Sequence, residues 1–462
     1  MAINLSRREF LKDLGLLGVG VTLAPGSISA ANEIGDWDRE TTPALARPAW
    51  VKTVDKPTTE INWEEMKRYD ERNTCRAGFV KYVGQDRLNE LTKLQNDNLA
   101  KWLKEGKPGY TLKDVALQAA SSSGSATQSF LGPDVTTPEQ RGVPKWTGTP
   151  EDASRIVTAA LRHLGAAHVG FVELDPKSTE KLIYAVDPDG KEIVFSDVDQ
   201  PAENDKQRIV PRKARWVIVY TLQMSEETLK RAPTILGGQT TNLTYTRNRN
   251  IQYRLQTFLK SLGYMALGEA STNALGIAPA FGVMAGLGEL SRLQRLLTPE
   301  YGPMVRVFKL ITDLPLAPTK PINAGIMEFC KVCKTCAEVC PSKALSFDTE
   351  PTWQVKGGWN NFGHKAWFED SVKCRTHWYE VGTNCGTCFA ACPYAGKDKA
   401  LVHQISKALI AGTPIFNGPL KSIRDLAYGV PAANDTPIKD PELWWKLDLP
   451  EYGIDTAHGH GA

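Results

Sequence analysis

The apolar positions change period several times along the chain, and those changes mark its elements. From Asp86 to Trp102, Leu88, Leu91, Leu94 and Leu99 recur at helical spacing. Residues 120–149 open on Ser121-Ser122-Ser123-Gly124, turn rich in Gly, Pro and Thr, and read as a linker. Thr149-Pro150-Glu151-Asp152 is a helix start with proline in the first turn. That helix shows Ile156, Val157, Ala160, Leu161 and Leu164 on one face, and Gly165 ends it. Val169 to Leu174 and Lys181 to Val186 read as strands. Arg215 to Leu222 holds the unbroken run Trp216-Val217-Ile218-Val219-Tyr220, which predicts a buried strand. Ser225 then caps a short helix. From Thr246 to Leu262 the positions Ile251, Leu255, Phe258, Leu259 and Leu262 repeat at helical spacing, with Gly263 as the stop. Tyr264 to Gly268 reads as the next strand. Ala280 to Leu290, after Pro279, reads as a helix whose Gly282, Gly286 and Gly288 permit close backbone approach. Alternating strands and helices of this kind predict an α/β body.

The flanks are less periodic. Residues 32–85 are rich in Trp, Pro and charge; Trp37, Trp50 and Trp63 read as packing anchors, and the lone Cys75 as a small buried hydrophobe. Ser6-Arg7-Arg8-Glu9-Phe10-Leu11-Lys12, a short apolar run from Leu14 to Ala24, and small residues up to Ala31 match a cleavable twin-arginine export signal. Such export carries folded proteins, which suits a chain that receives cofactors before crossing. No later run reaches the roughly 18 apolar residues of a membrane span, so the mature chain reads as soluble and any membrane attachment needs a partner. The formal net charge is +3, with no basic block, which argues against nucleic acid as a partner. The C-terminal tail, with Trp444-Trp445 and later His458 and His460, reads as surface packing.

The cysteines change this picture most. Eight of the nine lie between Cys330 and Cys392. Cys330, Cys333, Cys336 and Cys340, with Pro341, form the bacterial ferredoxin run C-x2-C-x2-C-x3-C-P. Cys385, Cys388 and Cys392, with Pro393, repeat its end, and the missing first cysteine is displaced upstream to Cys374. The fourth cysteine of each such run ligates the other run's cluster. The spacing therefore predicts one [4Fe–4S] cluster on Cys330, Cys333, Cys336 and Cys392, and a second on Cys340, Cys374, Cys385 and Cys388. Zinc favours paired C-x2-C knuckles, and disulfides leave the duplicated Cys-Pro endings without a reason.

Two clusters conduct electrons but offer no reaction centre, so the α/β section holds a second cofactor or a docking surface. It has no Rossmann fingerprint, because Gly286-Leu287-Gly288 lacks the third glycine. None of the seven histidines has an aspartate two residues before it, so a bound corrinoid would lack the lower histidine of a D-x-H-x-x-G element.

The export signal and cysteine pattern combine with the block Ser261-Leu262-Gly263-Tyr264 through Gly286-Leu287-Gly288-Glu289. To these add Leu297-Thr298-Pro299-Glu300-Tyr301-Gly302-Pro303-Met304-Val305-Arg306 and Thr312-Asp313-Leu314-Pro315-Leu316. Together they resemble the catalytic subunit of the respiratory reductive dehalogenase family, nearly end to end. The resemblance implies an α/β (α+β) fold, with a nitroreductase-like corrinoid-binding core and a C-terminal ferredoxin-like two-[4Fe–4S] domain. The implied division is a signal peptide over 1–31, an N-terminal region packing on the core over 32–149 and the corrinoid domain over 150–320. The ferredoxin-like domain follows over 321–405, with an extension over 406–462. The cofactors implied are two [4Fe–4S] clusters and a base-off corrinoid. The partners implied are an organohalide substrate, a small membrane-spanning anchor subunit and a membrane electron donor; a homodimer is left open. The location implied is the outer face of the cytoplasmic membrane.

The family's proton donor is a tyrosine helped by a cation and an amide, which carries onto Tyr245, Arg306 and Asn273. Tyr253 is the rival donor and Lys309 the reserve cation. A neighbouring guanidinium stabilises a phenolate and so lowers a tyrosine pKa from about 10. Trp378 reads equally as a wall of the substrate channel or a shield for a cluster, and Gly286 and Gly288 as corrinoid contacts. Two other classes compete: an exported iron–sulfur electron-transfer subunit, and a cobalamin-dependent tRNA-modifying reductase. The long section before the clusters opposes the first, and the export signal opposes the second.

Overall fold

The computed structural model describes residue 47 and residues 50–122, 126–395, 401–428 and 433–454. The export signal, Trp37, His458 and His460 lie outside them. The central sheet has three antiparallel strands, His168–Glu173, Trp216–Gln223 and Val305–Thr312, with Trp216–Gln223 in the middle. Its side chains alternate between two cores. Val217 and Val219 join Phe281, Leu290 and Ile311 on one face. Ile218, Tyr220 and Leu222 meet Val157, Leu161, Leu255 and Leu259 on the other. A strand covered on both faces reads as one continuous apolar run, which is why this element is plain in the sequence. A smaller sheet joins Glu192–Ser196, Gln207–Pro211 and Ala202–Glu203.

The helix Pro150–His163 begins on a full capping box, in which Thr149 and Asp152 satisfy each other's backbone donors. The leucine helix runs over Gln85–Glu105. The helix expected from Thr246 is much longer, Ile235–Ser261, capped by Thr234. Its first turns, Ile235 to Thr241, are all buried. With no solvent side there is no apolar stripe to read. Gly238 packs so closely on the cysteine segment that a Cβ there would stand 2.4 Å from Thr383 Oγ1.

Four further expectations change. Lys181 to Val186 is not a strand: a 3-10 turn, Thr179–Leu182, leads into single bridges from Ile183 to Gly276 and Val186 to Glu192. Tyr264 to Gly268 makes one bridge, Leu267 to Ile311, because Met265 N–H goes to Asp313 and Gly268 N–H to Phe130. The helix expected to reach Leu290 is Ala278–Met284. It stops before Gly286, whose φ of +68° and closeness to Lys320 O bar a side chain. Glu289–Leu290 instead pairs with Leu296–Leu297 as a hairpin. The expected linker starts inside a helix, Leu112–Ser122, and only the later part of 120–149 lacks regular structure.

The cysteine segment shares the body's core. One apolar cluster runs from Val219 through Leu290 and Leu297 to Phe329, Cys330 and Tyr394. Lys52–Thr53, from the N-terminal region, pairs with Ile322–Asn323 at the start of that segment. Among the described residues no helix is long and apolar enough to cross a membrane.

Leu161 is fully buried between the sheet and its helix layer. Leu161→Ala should cost about 2–5 kcal/mol, read as a lower denaturant midpoint with iron content unchanged. A shift within error would show that this layer carries no stability.

Candidate redox site

The eight clustered cysteines sit on four short helices and the turns between them. Cys330 lies in Ile326–Val332, Cys336 in Thr335–Glu338, Cys374 in Ser371–Val381 and Cys388 in Thr387–Ala390. The two halves repeat in detail: Cys333 Sγ meets Thr335 Oγ1 at 3.5 Å, and Cys385 Sγ meets Thr387 Oγ1 at 3.2 Å. No cysteine is in a disulfide. Cys330, Cys333, Cys336 and Cys392 line one cavity together with Arg292 and Tyr394, the set the spacing assigns to the first cluster.

The second set is closed by hydrogen bonds across the insert. Ala344 N–H donates to Cys340 Sγ at 3.4 Å, Asp370 N–H to Ala344 O at 2.9 Å, and Cys374 N–H to Asp370 O at 3.0 Å. The displaced Cys374 is thus returned to Cys340. Burial, then Glu369 and neighbouring thiols, pushes the Cys374 thiol up. Burial likewise raises Cys388, which feels Cys385, Cys340 and then Cys336, so the two sets adjoin there. Buried thiols that cannot ionise alone and form no disulfide fit metal-bound thiolates.

Tyr245, Asn273 and Arg306 come together from three elements. Tyr245 stands on the long helix, not before it as expected, and its hydroxyl donates to Asn273 Oδ1 at 3.2 Å. Its ring meets Phe308 edge-on at 5.8 Å. Asn273 has a φ of 67° and Leu275 one of 74°. Asparagine tolerates that region best among non-glycine residues. The loop is held by Asp187 accepting Leu275 N–H at 2.9 Å and by Arg76 donating to Thr272 O at 2.7 Å. Arg306, on the edge strand, puts its guanidinium 5.7 Å from the Tyr245 ring centre and 5.4 Å from that of Phe389. Its Nη2 donates to Thr241 Oγ1 at 3.1 Å, while its buried Nε has no partner. Burial lowers the Arg306 pKa, opposed by Tyr245 and Cys388. The trio therefore lies beside the second thiol set.

The alternatives fall elsewhere. Tyr253 is 45% exposed on the helix surface. Lys309 is fully buried and paired with Glu269. Lys309 and Arg306 both lie on a strand, and an odd spacing sends them to opposite faces. Gly286 and Gly288 closely approach the chain's own carbonyls, of Lys320 and Leu297. Trp378 lies one turn after Cys374, half-buried, with Arg375 at 5.0 Å from its ring, which places it with the second thiol set. Sequence reasoning missed Arg292 and Arg295. They sit at a hairpin tip, where two arginines form no periodic signal.

An α/β body fused through one core to a two-cluster cysteine segment, with a half-buried tyrosine and arginine beside it, defines an iron–sulfur redox enzyme. Residues 46–133 and 122–316 match the reductive dehalogenase subunit family, and residues 329–395 match the 4Fe-4S double cluster binding domain. The chain is 30% identical to the tetrachloroethene reductive dehalogenase of Sulfurospirillum multivorans, over 98% of this chain and 96% of that one. It is 28% identical to the trichloroethene reductive dehalogenase of Dehalococcoides mccartyi, over 97% and 98%. Its fold is similar to the solved catabolic reductive dehalogenase NpRdhA, with TM-score 0.60 and 22% identity over 84% of this chain. It spans about half, 50%, of that solved protein's length. The chain belongs to the reductive dehalogenase family.

Cys374→Ala should remove one cluster's signal in electron paramagnetic resonance and lower iron from about eight to about four per chain. Two intact signals with full iron would remove Cys374 from the ligand set.

Proposed function

We propose that this protein removes halide from an organohalide, a chlorinated hydrocarbon, as the terminal step of anaerobic organohalide respiration. The balance is R–Cl + 2e⁻ + H⁺ → R–H + Cl⁻. The observation that carries the reading is the Tyr245–Asn273–Arg306 group beside the second thiol set. A base-off corrinoid, when bound, supplies the reducing cobalt at the carbon–halogen bond, with the two clusters feeding it single electrons. The missing D-x-H-x-x-G element supports the base-off form.

The residues would divide the remaining work. Tyr245 holds the proton at its hydroxyl. Asn273 Oδ1 fixes the direction of that O–H bond. Arg306 stabilises the phenolate left behind, because an opposite charge a few ångströms away favours the ionised form. The unpartnered Arg306 Nε is a donor left for substrate or departing halide. Phe308 and Phe389 keep the group away from water, which strengthens each of these interactions. The chlorinated ethenes named for the curated relatives support a small chlorinated substrate. The twin-arginine run supports export to the outer face of the cytoplasmic membrane, where an anchor subunit and a membrane electron donor would be met.

Tyr245→Phe should lower dehalogenation about 10²–10⁴-fold while cobalt and iron remain bound. Turnover of chlorinated ethenes, with metal analysis on the same sample, checks it. Full activity would remove Tyr245 from the donor role, and folded protein that takes up iron but no cobamide would reduce the chain to an electron carrier.

A further inference from the structure

The hairpin between Glu289–Leu290 and Leu296–Leu297 turns through Ser291-Arg292-Leu293-Gln294-Arg295. Ser291 fixes the tip, its N–H and Oγ both donating to Arg295 O at 3.2 and 2.9 Å. One arginine goes to each thiol set. Arg292 lines the cavity of Cys330, Cys333, Cys336 and Cys392 and is fully buried. Arg295 acts on Cys374 and Cys388.

Their surroundings differ in charge. Arg292 donates only to main-chain carbonyls: Cys330 O from Nε at 3.0 Å and Nη2 at 2.6 Å, Ser346 O at 2.8 Å, Asp348 O at 2.7 Å and Lys331 O at 3.4 Å. Its guanidinium stacks 4.6 Å from the Trp367 ring, and Trp367 Nε1 closes the shell on Asp348 O. The Asp348 carboxylate itself accepts from Ser346 Oγ. Burial aside, the groups that act most on the Arg292 charge are the thiols of Cys330, Cys336 and Cys333. Arg295 instead forms an ion pair with Glu369 at 3.0 Å. Glu369 is held in turn by its N–H on Gln294 Oε1.

We propose that this hairpin tunes the reduction potentials of the two clusters separately. Arg292, a buried cation with no carboxylate of its own, favours the reduced state of the first cluster. Arg295, neutralised by Glu369, adds little to the second, whose uncompensated cation is Arg306. Reduction adds a negative charge to a cubane, and an uncompensated guanidinium in a low-dielectric wall stabilises it. The inference rests on the two-cluster reading of the site.

The test is a redox titration followed by electron paramagnetic resonance on the anaerobically purified, iron-loaded full chain, with Cys374→Ala assigning the signals. In Arg292→Met the reduced-to-oxidised ratio of the first cluster should fall at least tenfold at fixed ambient potential, about 59 mV for one electron. The second cluster should hold its midpoint. Arg292→Lys, which keeps the charge but not the fork, should restore most of the shift. Glu369→Gln should raise the second midpoint alone. An unmoved first midpoint in fully loaded Arg292→Met overturns the proposal, as does a Lys variant that shifts as far as Met. Where Arg292→Met fails to assemble its cluster, Glu369→Gln decides, and no rise there is equally fatal. Wild-type protein without cubanes would instead sink the two-cluster reading.

Discussion

The alternation of side chains along the edge strand Val305–Thr312 decides where charge sits in this protein. Arg306 and Lys309 are three residues apart, and a period of two sends them to opposite faces. Arg306 goes with Phe308 and Leu310 toward the long helix, where Tyr245 stands. Lys309 goes into the other core, where Glu269 takes its charge. A one-residue slip of this strand against Trp216–Gln223 would exchange the two cations. The register is held by apolar neighbours buried on both faces. The chemistry of the site is therefore set by the same packing that stabilises the sheet.

The cysteine segment obeys a second constraint. Eight thiols cannot ionise in an apolar interior unless cations share it. The chain meets this from the body side, by carrying arginines on a hairpin whose strands belong to the shared core. That explains why the body and the cluster segment pack as one core and not as two joined by a tether. Gly238 brings the first turns of the long helix against Thr383 and Asn384, and the helix that carries Tyr245 is thereby fixed to the cluster loops. The distance between Tyr245 and the thiols is a property of packing, not of a hinge.

What could be read from the sequence follows from this architecture. The middle strand was plain because both its faces are buried, and the Pro150 helix because its cap and its apolar stripe agree. The cysteine spacing was plain because cubane geometry leaves little freedom to short loops. The first half of the long helix was not readable, since Gly237, Gly238, Gln239 and Thr240 are buried and polar or small, and no stripe marks them. Asn273 could be named only through family resemblance. Its backbone conformation depends on Asp187 and Arg76, which lie far away in sequence. The hairpin arginines were invisible for the same reason: their meaning comes from the loops they face.

On the proposed reaction, electrons and the proton come to the substrate from different elements, and Arg306 touches both routes. It lies against the Tyr245 ring on one side and against Phe389, next to Cys388, on the other. Each step leaves a negative charge near it, first as an electron reaches the second thiol set and then as the phenol gives up its hydrogen. One fixed guanidinium lowers the energy of both states. Arginine suits this post better than lysine, because its charge is permanent and spread over a plane that can face a ring on either side. Burial opposes the charge. That cost is tolerable because Thr241 takes one donor and the two aromatic faces take the plane. Its Nε is buried without a partner. An unsatisfied buried donor is destabilising in the resting protein, and its retention here is the arrangement expected of a site built to be completed by what it binds.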